Sequence, residues 1–145
     1  MTVVVDAGPL VAALNRRDRA HSLSLALLGG LGRDALIPEP VLVEVDYLVR
    51  ERVGTVPARA FLSAVVSGEH TVRYTSPGLL RRATEIDTQF ADLNLGLTDA
   101  CVMAVAERER LPVLTYDFEH FRATRPERGF WRLVIDERQY EEATS

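Results

Sequence analysis

Short strand-like runs alternate with helical stretches along the whole chain, and this alternation constrains the fold more than any other feature. VVV at 3–5, ALIP at 35–38, TVRYT at 71–75, PVLTYD at 112–117 and WRLVI at 131–135 are the strand candidates. The most apolar of them read as strands covered on both faces, and strands that alternate with helices pair in parallel. Between them, PLVAALN, HSLSLALL, PEPVLVEVDYLVRERVG, PARAFLSAVVSGE, PGLLRRATEIDTQFADL and TDACVMAVAERER read as helices. Prolines before the third and Gly54 after it supply start and stop signals, and Thr98 is placed to cap the last. The expected architecture is α/β, a central parallel sheet of about five strands with helices on both faces, ending in a polar tail from about residue 136. At 145 residues and 47% hydrophobic content, the chain is expected to form one domain over residues 1–145.

Composition removes several classes of chemistry. Every basic residue is an arginine. Without lysine there is no Schiff-base catalyst and no P-loop, and a phospho-accepting receiver domain would lack the lysine it normally uses. Gly29, Gly30 and Gly32 follow a helix and precede a strand, the wrong order for a dinucleotide fingerprint. The single cysteine, Cys101, lies in ACVMAVA, so it reads as buried filler and no internal disulfide is possible. No apolar run is long enough to span a membrane and the N-terminus does not resemble a signal peptide, so a cytoplasmic location is expected. The net charge of −4 argues against a general nucleic-acid coat protein.

Two of the strand-like runs, VVVD and PVLTYD, end on an aspartate. Ligands of open parallel sheets bind outside the carboxyl ends of the strands, so Asp6 and Asp117 can converge although nearly the whole chain separates them. A turn residue or helix cap explains either one alone equally well. In VLVEVDYLVR, Glu44 has Val41 at i−3 and Leu48 at i+4 and therefore no local cation, whereas Asp46 has Arg50 at i+4 and needs no function beyond a surface ion pair. Asp99 opens an apolar helix, where the helix dipole by itself favours an acid.

Together these four acids require compensation. Two like charges about 4 Å apart repel by about 4 kcal/mol at an effective dielectric of about 20. With no lysine nearby, the natural counter-ion is a hard divalent metal, Mg²⁺ or Mn²⁺, held by oxygens. Such a site suits hydrolysis of a phosphodiester by water. His21, His70 and His120 show no paired zinc spacing and read as surface or loop histidines.

The motifs VVVDAGPL, PVLVEVDYLV, LGLTDACVMAVAE and VLTYDFEHF, in this order and spacing, resemble the PIN-domain ribonucleases of the VapC toxin type over nearly the whole chain. The resemblance implies a five-stranded α/β/α sandwich in which Asp6, Glu44, Asp99 and Asp117 hold one or two Mg²⁺ or Mn²⁺ ions for cleavage of single-stranded RNA. It further implies a homodimer inhibited by a cognate VapB-like antitoxin, acting on tRNA, rRNA or mRNA. Gly8 stands where many relatives carry Ser or Thr, so a backbone contact is expected there in place of a hydroxyl. Thr115 matches a hydroxyl position of the fourth motif that orients a carboxylate or water, and Asp92 is a candidate for an outer supporting role. RNA also needs cations, and FRATRPERGFWR offers Arg122, Arg125, Arg128 and Arg132 alternating with Phe121, Phe130 and Trp131, while RRDR at 16–19, with Arg16 and Arg17, adds a second basic patch. The alternatives are a PIN-like binding module without catalysis and a metal-dependent DNA nuclease.

Overall fold

A computed structural model describes residues 1–145. Four parallel strands, β1 (Val3–Val5), β2 (Ala35–Pro38), β3 (Thr71–Arg73) and β4 (Val113–Leu114), form one sheet in the order β3-β2-β1-β4. The expected fifth strand is reduced to a single parallel bridge between Val113 and Leu133. Val113 donates to Arg132 and accepts from Val134; β4 itself is only two residues long, so there is little strand for a neighbour to follow.

Helices α1 (Ala7–Leu14) and α2 (His21–Gly29) connect β1 to β2, and α3 (Glu39–Arg52) and α4 (Thr55–Val66) connect β2 to β3. The return from β3 to β4 runs through α5 (Pro77–Gln89) and α6 (Leu97–Glu109). Beyond β4 come α7 (Phe118–Ala123) and α8 (Glu137–Thr144). The polar tail expected after Ile135 is thus a helix. Its start is a capping box in which the Asp136 side chain accepts from the Gln139 backbone and the Gln139 side chain accepts from the Asp136 backbone. Tyr140 seats it on the body of the protein, with ring centroids 4.6 Å from Tyr116 and 5.6 Å from Phe118.

Every residue of β1 and β2 is buried, as their uninterrupted apolar runs require. Helix α6 is buried continuously from Ala100 to Ala106 and packs against β1, β2, α3 and α5. A helix apolar on all sides belongs at the centre of a core, and this one carries Asp99 in its first turn, rigidly fixed by the packing behind it. Gly96 (φ 84°) occupies the N-cap of α6, so Thr98 lies inside the first turn rather than at the cap. No helix is long and apolar enough to cross a membrane.

Strand order sets the position of the site. From β1 the chain moves outward through β2 to β3, then returns to pair β4 on the other side of β1. The switch point lies between β1 and β4, and their carboxyl ends open the crevice in which such sheets bind ligands.

Candidate active site

Asp6 and Asp117 flank that crevice, one directly after β1 and the other three residues after β4. Asp6 is the N-cap of α1: its Oδ1 accepts from the Ala7 N–H at 2.8 Å, and its Oδ2 accepts from the Thr115 hydroxyl at 2.8 Å. The same hydroxyl oxygen accepts the Asp117 N–H at 3.0 Å. Thr115 therefore ties the two strand ends together, and at 1% exposure it does so without competition from water. A side chain at Gly8 would meet Tyr116 at 3.8 Å, an ordinary van der Waals contact.

Asp117 caps α7, accepting the His120 N–H at 3.2 Å. The turn that follows folds the His120 ring back, placing Nδ1 2.7 Å from Asp117 and 3.0 Å from Asp99. His120 is thus no loop bystander, contrary to the expectation from its spacing, while His21 and His70 do have structural roles, bonding the carbonyls of Ala12 and Gly32. The available signal is an acid at a helix start with histidine three residues on, but α7 is six residues long and has little periodicity of its own.

Glu44 reaches the crevice from α3 and has no hydrogen-bond or ion-pair partner, whereas Asp46 forms the expected pair with Arg50 at 2.9 Å. Burial raises the Glu44 carboxyl above its ordinary range, and the charge of Asp6 adds to the effect. Burial likewise raises Asp6, opposed by the hydrogen bonds from Thr115 and Ala7. Asp99 is pushed up to about 7 by burial first and by the charge of Asp6 second, with His120 pulling the other way. For His120, burial favours the neutral ring, but the hydrogen bond to Asp99 and the charges of Asp117 and Asp99 outweigh it and raise its pKa. Asp6, Asp99 and Asp117 are therefore within electrostatic reach of one another, Glu44 is within reach of Asp6, and Asp6, Glu44 and Asp99 are driven toward holding a proton.

This is a donor set short of positive charge. Asp99, Asp117 and His120 each offer a ligand atom, all within 4.8 Å of one another, and Asp6 keeps a free lone pair on each oxygen after its two hydrogen bonds. Several carboxylate oxygens around a partly open crevice fit a hard divalent cation. Asp92 lies exposed in a short turn at Ala91–Leu93 and makes no side-chain bond into this group.

The arginine candidates lie in different surroundings. Arg122 is paired with Glu137 at 2.7 Å. Arg128 joins Arg132 and three arginines from elsewhere around a separate hollow. Arg125, Arg16 and Arg17 are exposed.

Comparison with known proteins agrees with the fold. The PIN domain family model matches residues 3–126. Ribonuclease VapC26 of Mycobacterium tuberculosis (strain ATCC 25618 / H37Rv) is 30% identical over 135 residues, covering 92% of this chain and 99% of that protein. Among solved structures, the sarcin-ricin loop cleaving toxin VapC20 of M. tuberculosis superposes with a TM-score of 0.77 at 20% identity, over 84% of this chain and 95% of that one. VapBC2 from Rickettsia felis, bound to a DNA fragment from its promoter, gives a TM-score of 0.62 at 20% identity over 84% and 92%. A toxin-antitoxin complex from Klebsiella pneumoniae gives 0.63 at 18% over 83% and 90%. With four parallel strands, acids gathered at the β1/β4 switch point and a family match over most of its length, the chain belongs to the PIN-domain family and within it to the VapC type.

Proposed function

We propose that the protein is a divalent-metal-dependent endoribonuclease, the toxin of a type II toxin–antitoxin module, which hydrolyses RNA phosphodiester bonds and thereby inhibits translation or growth. The observation that carries this reading is the convergence of Asp6, Glu44, Asp99 and Asp117 from four distant parts of the chain with too little positive charge to balance them. The ribonuclease name of the 30% identical relative favours RNA as substrate. A VapB-like antitoxin is the expected partner, and exposed apolar side chains on α3 and α4, among them Val43, Tyr47 and Val56, offer the kind of surface that an antitoxin or a second copy in a homodimer covers.

Mg²⁺ or Mn²⁺ at this site would polarise the scissile phosphate, activate water and offset charge on the leaving oxygen. Asp6, Asp99 and Asp117 are the carboxylates that would hold it, with Glu44 on the open side. The chain's own contribution is positional. Thr115 and the Ala7 N–H fix the Asp6 carboxylate, leaving one lone pair of each oxygen uncommitted. Thr115 also fixes the backbone of Asp117, so that both strand-end acids keep their spacing when RNA enters. No protein nucleophile is required, and the buried Cys101 thiol, raised further by burial, is unsuited to be one.

Purified protein is expected to cut single-stranded RNA in Mg²⁺ or Mn²⁺ and to stop on addition of EDTA. Asp6→Asn and Asp99→Asn should abolish cleavage with the circular dichroism spectrum unchanged. Folded Asp99→Asn protein cutting at the wild-type rate in EDTA would overturn the reading. Parallel assays on single-stranded and flap DNA test the DNA-nuclease alternative, and addition of the neighbouring gene product tests the antitoxin.

A further inference from the structure

A hollow of about 900 Å³ lies apart from the acidic crevice. It lies around the C-terminal half of α6, the start of α5 and the 126–132 segment. Arg108 in its wall is nine residues beyond Asp99 on the same helix, which places it about 14 Å along the helix axis and about half a turn around it. The two features therefore sit at opposite ends and opposite faces of α6.

The lining has a charge opposite to that of the chain. Five arginines, at 82, 108, 110, 128 and 132, face two glutamates, in a protein whose net charge is −4. Arg82 is neutralised by Glu107, which it grips with two hydrogen bonds of 2.6 and 2.9 Å. Glu107 is further engaged, because it also accepts the Glu127 N–H at 2.7 Å. Arg108, Arg110, Arg128 and Arg132 are left exposed without a carboxylate partner; Arg132 is held in place by donating to the Arg110 carbonyl at 2.7 Å. Uncompensated arginines sharing one hollow repel one another, and an anion relieves that cost.

Beside them Phe130 is 88% exposed. It stands at the rim of this hollow and of a second one of about 300 Å³, next to Trp131, which is anchored edge-on against Phe121 with centroids 5.6 Å apart. The Trp131 indole donates to Thr124 at 3.0 Å. A phenyl ring held in solvent beside a rigid indole and a row of guanidinium groups matches a single-stranded nucleic acid, which presents bases to stack and phosphates to pair. An acidic peptide would use the charges but leave the ring unexplained.

We propose that this hollow binds a single-stranded segment of RNA at a distance from the scissile bond, with phosphates on Arg108, Arg110, Arg128 and Arg132 and a base on Phe130. The proposal rests on the reading of the protein as an RNA-directed enzyme. The groove acts as an exosite: it selects RNAs long enough to reach both ends of α6.

The test uses full-length Asp6→Asn protein in EDTA, so that binding is measured without cleavage. The probe is a fluorescein-labelled single-stranded RNA of about 12 nucleotides followed by anisotropy. Adding Arg108→Glu and Arg128→Glu should weaken binding at least 10-fold near 0.1 M salt and flatten the salt dependence by about 0.7 log units for each phosphate no longer neutralised. Adding Phe130→Ala should weaken it about 5-fold or more with the salt slope unchanged. Photocrosslinking of 4-thiouridine RNA to the Asp6→Asn protein, which does not depend on the arginine variants folding, should label Phe130 or Trp131. Unchanged affinity and slope in folded variants, crosslinks confined to other segments, or equally tight displacement of the RNA by polyglutamate would each overturn the proposal. Cleavage by the otherwise unmodified protein in Mg²⁺ is scored separately: groove-dependent binding without cleavage would refute the nuclease reading and leave the RNA site standing.

Discussion

The Thr115 hydroxyl donates to Asp6 Oδ2 at 2.8 Å across 109 residues of sequence, and both groups are shut off from solvent. A buried carboxylate oxygen deprived of its donor bears the full cost of desolvation, about 1–3 kcal/mol. Thr115→Val, which keeps the shape and removes the donor, should lower stability by about that amount and also cut RNA cleavage roughly 10–100-fold, the usual effect of losing a group that orients a ligand. Thr115→Ser should restore most of both. Thermal melts alongside single-turnover cleavage check this, and a Val variant with full activity would mean that Asp6 needs no orienting.

That hydroxyl is legible in the sequence as a matching motif position; Asp6, Asp117 and Glu44 stand out as two strand-end aspartates and an unpaired helical glutamate, whereas Asp99 joins them through the family resemblance. The structure adds what periodicity does not encode. Helix α7 is six residues long, too short for a hydrophobic pattern, so His120 reads as a loop residue. Helix α8 carries only Tyr140 as an apolar anchor, and its capping box is the sole sequence cue. WRLVI has strand composition, yet pairing depends on the neighbour, and β4 is two residues long. The surroundings of the arginines are hidden for a related reason: spacing along the chain does not reveal that Glu137 takes Arg122 or that α6 brings Arg108 and Arg110 beside Arg128 and Arg132.

Glu44 and Asp46 are two residues apart on α3 and should respond oppositely to neutralisation. Glu44→Gln removes a charge that burial and Asp6 both disfavour, so metal-free protein should gain stability while cleavage falls. Asp46→Asn only breaks the surface pair with Arg50, which costs at most about 0.5 kcal/mol for an i,i+4 pair, and should leave cleavage unchanged. Melting in EDTA and initial rates in Mg²⁺ separate the two; equal loss of activity in both variants would remove the distinction drawn between them.

Stability of the metal-free protein should fall as pH rises from about 5 to 8. Raised carboxyls at Asp6, Glu44 and Asp99 mean that the folded state holds protons the unfolded state has already released near pH 4. Their cost accumulates up to the folded values, which for Asp99 is about 7. His120 acts in the same direction: its stabilisation is complete below its unfolded pKa of about 6.5 and is lost as pH rises through the raised folded value. Glu107, lowered by Arg82, has the opposite sign, but its contribution is lost only as pH falls through its folded value, below this window. Mg²⁺ should therefore raise the melting temperature more at pH 8 than at pH 5, where Asp99, pushed up to about 7, holds its proton. Scanning fluorimetry across pH in EDTA and in Mg²⁺ checks this; a metal-free profile flat or rising from pH 5 to 8 would contradict it.

His120 has Nδ1 2.7 Å from Asp117 and 3.0 Å from Asp99, so the protonated ring lies where a cation would relieve both acids. Hard cations prefer oxygen, which makes imidazolium a competitor for the site rather than a ligand in it. His120→Ala should then lower the metal-free melting temperature by about 5 °C at pH 6, because a charge-assisted hydrogen bond worth roughly 2 kcal/mol is removed. The drop should shrink as pH rises through the raised pKa of the ring. In the same variant Mg²⁺ should bind more tightly than to wild type at pH 6 and within about 3-fold of wild type at pH 8. Isothermal titration at the two pH values distinguishes the roles, because a 10-fold weaker Mg²⁺ affinity at pH 8 would make His120 a ligand and not the ion's rival.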